Sequence, residues 1–322
     1  MNKPVEAAPL AVDQDYTVRV CQDLVRINSI NPLLVADAPG EREIGGYTAD
    51  ALSALGLEVR THEPEPGRVS VTGRLRGSGG GRSLMLNAHY DTVGVEGMPE
   101  PFSGAVRDGR VHGRGAFDMK GSLAACLGAV KAVRDAGITL RGDLVIAAVA
   151  DEEYGSLGTA DLITHTRTDG AIVTEPTALG VCLAHKGYCW IEVRTEGRAA
   201  HGSRFAEGID ANLRMGRVLA CLESLERDLR ARPPHPLVGP PSLHAALLEG
   251  GTGLSTYAAS STLQIERRTV PGETEAQVMA EIEGLLGPLR TQDPTFQATA
   301  RAFFVRQPFE VGREAAIVGA VA

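Results

Sequence analysis

The segment LMLNAHYDTV, at residues 84–93, joins a short apolar run to a histidine and an aspartate. Four more short apolar runs occur in the first half of the chain, at residues 57–59, 69–71, 144–149 and 171–173. These runs are rich in Val, Ile and Leu and are bounded by Gly, Asp or Pro, which is typical of buried strands. The first half therefore predicts a β-sheet in which residues 84–88 form one strand.

Helical patterns surround these predicted strands. Apolar residues recur at helical spacing over residues 15–28 and 42–55, and a third, stronger helix begins near Met119. Strands separated by helices indicate an α/β fold with a mostly parallel sheet that is covered on both faces. The Gly-rich segment GSGGG at residues 77–81 lacks a following GK[ST], so it predicts a hairpin loop rather than a phosphate-binding loop.

The second half of the chain has a different order of elements. Strand and helix patterns alternate as β-α-β-β-α-β, at residues 188–195, 210–230, 244–249, 262–268, 273–286 and 295–304. This order predicts a ferredoxin-like domain. The apolar segment 312–322 begins another helix, which we expect to return to the first domain. The predicted organisation is a discontinuous domain, residues 1–181 and 306–322, with residues 182–305 inserted into it.

Composition excludes several classes of function. The chain has 40 acidic and 32 basic side chains, and its net charge of −8 argues against a nucleic-acid partner. No stretch of 18 apolar residues occurs, so no membrane span is expected. Residues 1–16 carry acids and prolines where a secretory signal needs an apolar run. Five cysteines without a CxxC pair favour reduced thiols and a cytoplasmic location.

His89 and Asp91 lie two residues apart at the end of the strand predicted at 84–88. Residues two apart in a strand share a face. A metal-bound imidazole usually donates its other N–H to a carboxylate, and Asp91 is placed to accept it. The alternative interpretation is a polar strand end with a turn aspartate. The position favours a ligand site, because ligands bind beyond the carboxyl ends of strands in open α/β sheets.

Four further acids occupy similar positions. Asp118 directly precedes the strongest helix, where an N-cap is the alternative role. Glu152 and Glu153 follow the strand at 144–149, and neighbouring strand residues project in opposite directions, so that one could face a metal and the other a bound water. Glu175 follows the strand at 171–173. A solvated loop and a turn before proline are the alternatives for these last two positions.

Together, His89, Asp118, Glu153 and Glu175 supply one imidazole and three carboxylates at the edge of one predicted sheet. Mixed nitrogen and oxygen ligands fit zinc or a similar first-row ion. A carboxylate that can bridge two ions, with a base beside it, is typical of a two-metal hydrolase.

Six motifs in order, AHYDTV, GRGAFDMKG, DEEYGSLG, TEP, AAHGS and ERRTVPGE, resemble the dizinc aminoacyl hydrolase family. That family contains acetylornithine deacetylase, succinyl-diaminopimelate desuccinylase, aminoacylase and carboxypeptidase G. The resemblance covers nearly the whole chain, and ERRTVPGET is most similar to the deacetylase and desuccinylase branch. It implies a zinc-binding catalytic domain, with Co²⁺ or Mn²⁺ as alternative ions, and an inserted domain that forms a homodimer and a lid.

The resemblance also implies the ligand set. His89 and Glu175 would bind one zinc ion, Glu153 the other, and Asp118 would bridge both, with a cis peptide bond between Asp118 and Met119. A second metal-binding histidine lies in the family beyond the position where this chain ends, and no histidine follows His244 here. One metal is therefore expected to lack a ligand.

Four more roles follow from the resemblance. Glu152 would be the general base, and Asp91 would orient His89. His201 would reach the oxyanion of the partner subunit's site, and Arg268 would hold a substrate carboxylate. From the residues alone, the alternative for His201 is a surface or turn residue, and the alternative for Arg268 is a solvated strand charge. The segment GGTGLSTYA has Ser255 near the place of a family asparagine, so this chain departs from the family at that substrate contact.

These inferences lead to one expected function with two alternatives. We expect a homodimeric, zinc-dependent hydrolase that cleaves the amide bond of N-acyl amino acids. A dipeptidase or carboxypeptidase acting on short peptides is the alternative within the family. A truncated, non-catalytic fragment that only dimerises or binds one metal is the alternative outside enzymes.

Overall fold

The computed structural model describes residues 10–322 and divides into two compact units, the first ending at Gly180 and the second spanning Val181–Ala322. Residues 1–9, which carry much of the signal-peptide interpretation, lie outside the described residues. Within residues 10–322, no helix combines the length and the apolar character that crossing a bilayer requires.

Unit 1 contains four helices and seven strands in the described chain. In order, they are α1 (Gln14–Arg26), α2 (Arg42–Ala54), β1 (Glu58–Glu65), β2 (Arg68–Leu75), β3 (Leu84–His89), β4 (Ala105–Arg107), β5 (Arg110–His112), α3 (Gly121–Asp135), β6 (Leu144–Val149), α4 (Leu157–His165) and β7 (Gly170–Val173). The helices and strands predicted for this half are all present, and α4 and the β4–β5 hairpin are additions.

The main sheet of unit 1 has the strand order β1-β2-β6-β3-β7. Strand β2 runs antiparallel to its neighbours, whereas β6, β3 and β7 are parallel, so four of the five strands share one direction. Alternate β6 residues face two apolar clusters, one containing α1, α2 and α3 residues and the other containing Leu162 of α4. The α/β fold with both sheet faces covered is therefore confirmed.

The hairpin predicted at residues 77–81 is wrong. These residues connect β2 to β3, but β6 lies between the two strands and pairs with both. A glycine-rich loop shows where the chain turns, but strand pairing depends on contacts distant in sequence. Residues 77–81 are therefore a crossing connection.

Unit 2 has three helices and six strands. They are β8 (Ala184–His185), β9 (Gly187–Glu196), α5 (Ala211–Ala231), β10 (Ser242–Gly250), β11 (Ser260–Thr269), α6 (Glu275–Gln292), β12 (Gln297–Arg306), β13 (Phe309–Glu310) and α7 (Ala316–Val321). The antiparallel order β10-β11-β9-β12 is that of a ferredoxin-like sheet, as predicted. Side-chain caps begin both long helices, with Asp210 capping α5 and a Thr274–Gln277 capping box starting α6.

The boundary between the units lies within one residue of the predicted position 181. Residues 306–322 cluster with unit 2, where β13 pairs with β8. Their membership of the first domain stays a prediction.

Candidate metal centre

Three neighbouring strands carry the candidate residues to one edge of the sheet. In the parallel set β6-β3-β7, His89 pairs in register with Val149, and Asn87 pairs with Val173. Because these strands end together, the residues that follow them are close in space. Asp91, Glu152, Glu153 and Glu175 all lie just beyond these ends.

The His89 imidazole is the centre of the arrangement. Its side chain is 1% exposed, and its Nε2 lies 3.0 Å from Asp118 Oδ1, 3.6 Å from Glu175 Oε1 and 3.7 Å from Glu152 Oε2. His89, Asp118 and Glu153 each offer a ligand atom within 4.8 Å of the others, and so do His89, Glu152 and Glu175. We call these five residues the His89 cluster.

The sequence predicts that Glu152 and Glu153 project in opposite directions, as neighbouring residues of a strand do, but neither residue lies in a strand. Strand β6 ends at Val149, and residues 152–155 form a turn, where strand alternation no longer applies. Both carboxylates join the His89 cluster. The turn therefore supplies two acids to the same place.

Asp118 is not the N-cap of α3. The helix begins at Gly121, and its N-cap position, Lys120, makes no side-chain cap. Asp118 instead has extended φ and ψ angles of −123° and 101°, and its peptide bond to Met119 is cis, as the resemblance implies. Gly115 begins this turn with a φ of +80°, and a Cβ there would lie 2.9 Å from Lys120 and Thr92 side-chain atoms. The Asp118 carboxylate contacts the His89 ring from this turn.

Asp91 contacts the His89 ring and the turn that carries Glu152 and Glu153. His89 Nδ1 lies 3.0 Å from the Asp91 carbonyl oxygen and 3.5 Å from Asp91 Oδ1. A carbonyl only accepts, so this contact places a ring proton on Nδ1, while Nε2 faces the carboxylates of the cluster. The Asp91 carboxylate accepts the backbone N–H groups of Glu152 and Glu153 at 3.0 and 3.1 Å. Asp91 therefore contacts both the imidazole and the turn that carries both acids.

A buried polar network behind Asp91 escaped sequence reasoning. Arg68 donates to Asp151 and to Glu41, both at 2.8 Å, and Asn31 donates to Asp91 at 2.8 Å and to Asp151 at 2.9 Å. All five residues are buried. The only sequence signal was Asp151, the first acid of DEEYGS. We call Arg68, Glu41, Asp151 and Asn31 the Arg68 network.

Burial and mutual repulsion shift the acids of the cluster. Burial raises the pKa of both Glu153 and Glu175 to about 7, and it also raises the pKa of Glu152. Burial opposes protonation of His89, but hydrogen bonds to Asp118 and Asp91 raise its pKa to about 11. The cluster thus concentrates more negative charge than one imidazolium neutralises. One imidazole and several carboxylates that repel one another are a ligand set suited to a divalent cation.

The raised pKa of Glu175 predicts a pH effect on the metal-free protein. Between its ordinary pKa of 4.5 and about 7, the folded chain holds a proton that the unfolded chain releases, so this contribution to stability falls as pH rises. We expect Glu175→Gln to become more stable relative to the parent between about pH 5 and 7, as measured by denaturant unfolding with chelator present. Glu96→Gln, which removes an exposed carboxylate, is the control. Equal pH profiles for both variants would contradict the prediction.

His201 and Arg268 both lie in unit 2. His201 is exposed, its Nδ1 contacts Ser203 Oγ at 2.8 Å, and its backbone pairs with Thr256. Ser255 lies in the same region, since its carbonyl accepts the Gly202 N–H at 2.8 Å. Arg268 on β11 is partly exposed, and its guanidinium carbon lies 5.3 Å from the centre of the Tyr188 ring. The neighbouring Arg267 is 1% exposed and paired with Glu273 and Glu281, so its role is structural.

Two curated relatives are similar to this chain in sequence. N-formyl-4-amino-5-aminomethyl-2-methylpyrimidine deformylase of Bacillus subtilis (strain 168) is 32% identical over 80% of this chain and 65% of its own length. Acetylornithine deacetylase of Myxococcus xanthus is 29% identical over 84% of this chain and 70% of its own length. The chain thus spans about two thirds of the length of these relatives.

Solved structures share the fold. A tripeptidase from Staphylococcus aureus superposes with a TM-score of 0.76 at 18% identity, covering 96% of this chain and 80% of that chain. The M20 family metallo-carboxypeptidase Sso-CP2 from Sulfolobus solfataricus superposes with a TM-score of 0.75 at 17% identity, covering 95% of this chain and 82% of that chain. The sequence profile of peptidase family M20/M25/M40 matches residues 85–314, which include the whole His89 cluster. This chain belongs to peptidase family M20/M25/M40.

Proposed function

We propose that the protein is a metal-dependent hydrolase that cleaves the amide bond of N-acyl amino acids. The observation that carries this proposal is the His89 cluster, in which one buried imidazole and four carboxylates meet beyond the ends of three parallel strands. Family membership supports hydrolysis as the reaction.

Zinc is the proposed metal, with Co²⁺ or Mn²⁺ as alternatives. His89 and Glu175 would hold one ion, Glu153 the other, and Asp118 would bridge them. The 3.0 Å contact between His89 and Asp118 supports a shared ion there, since the ligands already converge. When bound, such ions polarise the scissile carbonyl and lower the pKa of water.

Glu152 is proposed as the general base. It accepts a proton from the attacking water and hands it to the leaving amine. Burial raises the pKa of Glu152, which makes its carboxylate a stronger base towards the attacking water. Asp91 would position His89 and would not touch substrate.

Acylated amino acids are proposed over dipeptides because both curated relatives, by their names, remove an acyl group. The peptidases among the solved structures are less than 20% identical and support only the fold. Arg268 would bind the substrate carboxylate, and the Tyr188 ring beneath its guanidinium supports a fixed orientation.

A substrate panel tests the proposed function. N-formyl, N-acetyl and N-succinyl amino acids are compared with dipeptides, before and after chelator treatment and zinc restoration. We expect hydrolysis of acyl amino acids that is lost with chelator and regained with zinc. Faster hydrolysis of dipeptides favours the peptidase alternative. No hydrolysis by the zinc-loaded chain would contradict the proposal.

We also propose that unit 2 forms a homodimer and that the protein is cytoplasmic. Strand β10 lies at the sheet edge, is exposed over residues 244–250 and carries Leu247 and Leu248, which are 61% and 54% exposed. Such an edge is commonly protected by pairing with a second copy. The five cysteines are all free, which supports a reducing compartment.

A mixing experiment tests whether His201 acts in the partner's site. We expect His201→Ala and Glu152→Gln to be inactive separately and to regain activity when their subunits are exchanged. The reason is that some mixed dimers contain one site with both residues intact. Activity is measured after mixing, and mixed dimers are counted by mass spectrometry. Mixed dimers without activity would exclude a crossing His201.

A further inference from the structure

A second group of metal-binding side chains lies in unit 1, apart from the His89 cluster. His62 on β1 and Asp161 and His165 on α4 each offer a ligand atom, and these atoms lie within 4.8 Å of one another. His165 Nε2 is 3.3 Å from Asp161 Oδ1, and His62 Nδ1 is 3.9 Å from Asp161 Oδ2. The two groups share no residue. We call this one the His62 group.

We propose that His62, Asp161 and His165 form a separate zinc site that joins α4 to strand β1. Two imidazole nitrogens and one carboxylate, with a fourth position open to water, are a common zinc ligand set. The bound ion would link these two elements beside the sheet, and its open fourth position distinguishes it from the closed, four-ligand sites of purely structural zinc.

The distances are close to those that a zinc ion needs. With ligand bonds of about 2.0–2.1 Å in tetrahedral geometry, ligand atoms lie about 3.3 Å apart. His165 Nε2 already has this separation from Asp161 Oδ1, and His62 Nδ1 lies 3.9 Å from the other oxygen, Oδ2, so the carboxylate would bind through both oxygens or rotate to present one of them. Asp161 and His165 are four residues apart on one helix, which places both on the same face.

The surroundings of His62 support a ligand role. Its Nε2 contacts Thr72 Oγ1 at 3.2 Å, and its side chain is 11% exposed. A second hydrogen-bond partner on the other ring nitrogen is typical of metal-bound histidine, because it fixes the ring. The nitrogen left over, Nδ1, is the one that faces Asp161.

Without a cation, the match between these side chains depends on which nitrogen of His62 carries the proton. The two imidazole rings stack at 5.7 Å and share a single carboxylate. If both rings were protonated, two cations would face one anion. If both were neutral with His62 donating to Thr72, a nitrogen lone pair would face a carboxylate oxygen. A bound zinc ion satisfies all three side chains together.

Helix α4 is held at its first turn, where Leu157 N–H donates to Asp151 Oδ2 and Gly158 N–H donates to the Ala150 carbonyl oxygen, both at 3.1 Å. It has nine residues, begins after Ser156 in the left-handed region, and makes no side-chain hydrogen bond at that cap. Leu162 is its one large buried side chain. A metal bridge from His62 would add a link at the other end of the helix, where His165 is the last residue.

Zinc content tests the proposal. The 322-residue parent, His165→Ala and the double variant His62→Ala/His165→Ala are dialysed against zinc and measured by mass spectrometry of metals. His112→Ala, which removes an exposed imidazole on β5, is the matched control. We expect both test variants to hold about one zinc ion fewer than the parent, with the control unchanged. His165 is exposed, so its replacement leaves the core intact even if His62→Ala does not fold.

Thermal unfolding gives an independent readout. Zinc should raise the melting temperature of the parent and of His112→Ala more than that of His165→Ala. Equal zinc content and equal shifts in melting temperature would overturn the proposal. Neither measurement requires hydrolytic activity, and every variant keeps the His89 cluster. A negative result would therefore count against the His62 zinc site and not against the proposed function.

Discussion

Glu152→Gln is expected to lower kcat by at least about 100-fold while the metal content stays near that of the parent. General-base catalysis contributes about 10²–10⁴-fold, and glutamine cannot accept the proton from water. Glutamine preserves the size of the side chain, so the turn that also carries Glu153 should keep its hydrogen bonds to Asp91. Turnover of an N-acyl amino acid and metal content are measured on the same sample.

Glu153→Gln is the matched control for this experiment. It alters the adjacent carboxylate, which we propose as a ligand, and should lower metal occupancy first and activity as a result. This comparison matters because Glu152 Oε2 also lies 3.7 Å from His89 Nε2, within reach of a ligand position. If Glu152→Gln loses the metal and Glu153→Gln keeps it, the two roles are reversed.

Arg68→Ala is expected to lower the free energy of unfolding by about 3–5 kcal/mol, the range found when one partner of a buried ion pair is removed. Arg68 pairs with Glu41 and Asp151, and these three side chains are 6%, 0% and 2% exposed. Without the guanidinium, two buried carboxylates lose their counter-charge. Burial already raises the pKa of Glu41 to about 7, even beside the arginine. Denaturant unfolding at neutral pH measures the loss.

Arg42→Ala provides the comparison, because Arg42 forms an exposed ion pair with Glu63. Its loss should cost at most about 1 kcal/mol. If Arg68→Ala lowers the free energy of unfolding by no more than Arg42→Ala does, the prediction is wrong. Water, or a movement of Asp151, would then compensate for the lost guanidinium. The Arg68 network also holds Asp91 through Asn31, so weaker metal binding should accompany the loss of stability.

Much of this fold could be predicted because its elements follow local patterns. The apolar runs that became β3, β6 and β7 are short and bounded by turn residues, and the helices α1, α2, α5 and α6 have apolar residues at helical spacing. Helix α4 was missed because only Gly158 and Leu162 of its nine residues are buried. A helix with so narrow a buried face gives almost no periodic signal.

The candidate site was predictable in its members and not in its geometry. His89, Glu152, Glu153 and Glu175 follow strand ends, and the parallel direction of β6, β3 and β7 brings those ends together. The direction in which Glu152 points could not be inferred, since it depends on where β6 ends and on the Asp91 carboxylate that holds the following turn.

The sequence by itself determined the α/β and ferredoxin-like element orders, the set of candidate ligands and the motifs shared with the family, because each depends on residue type and local spacing. Only the tertiary structure decided that β6 separates β2 from β3, that Arg68, Glu41, Asp151 and Asn31 support Asp91, and that His62 meets Asp161 and His165. These contacts join residues distant in the chain. Their partners are selected by the packing of whole elements, which no local pattern records.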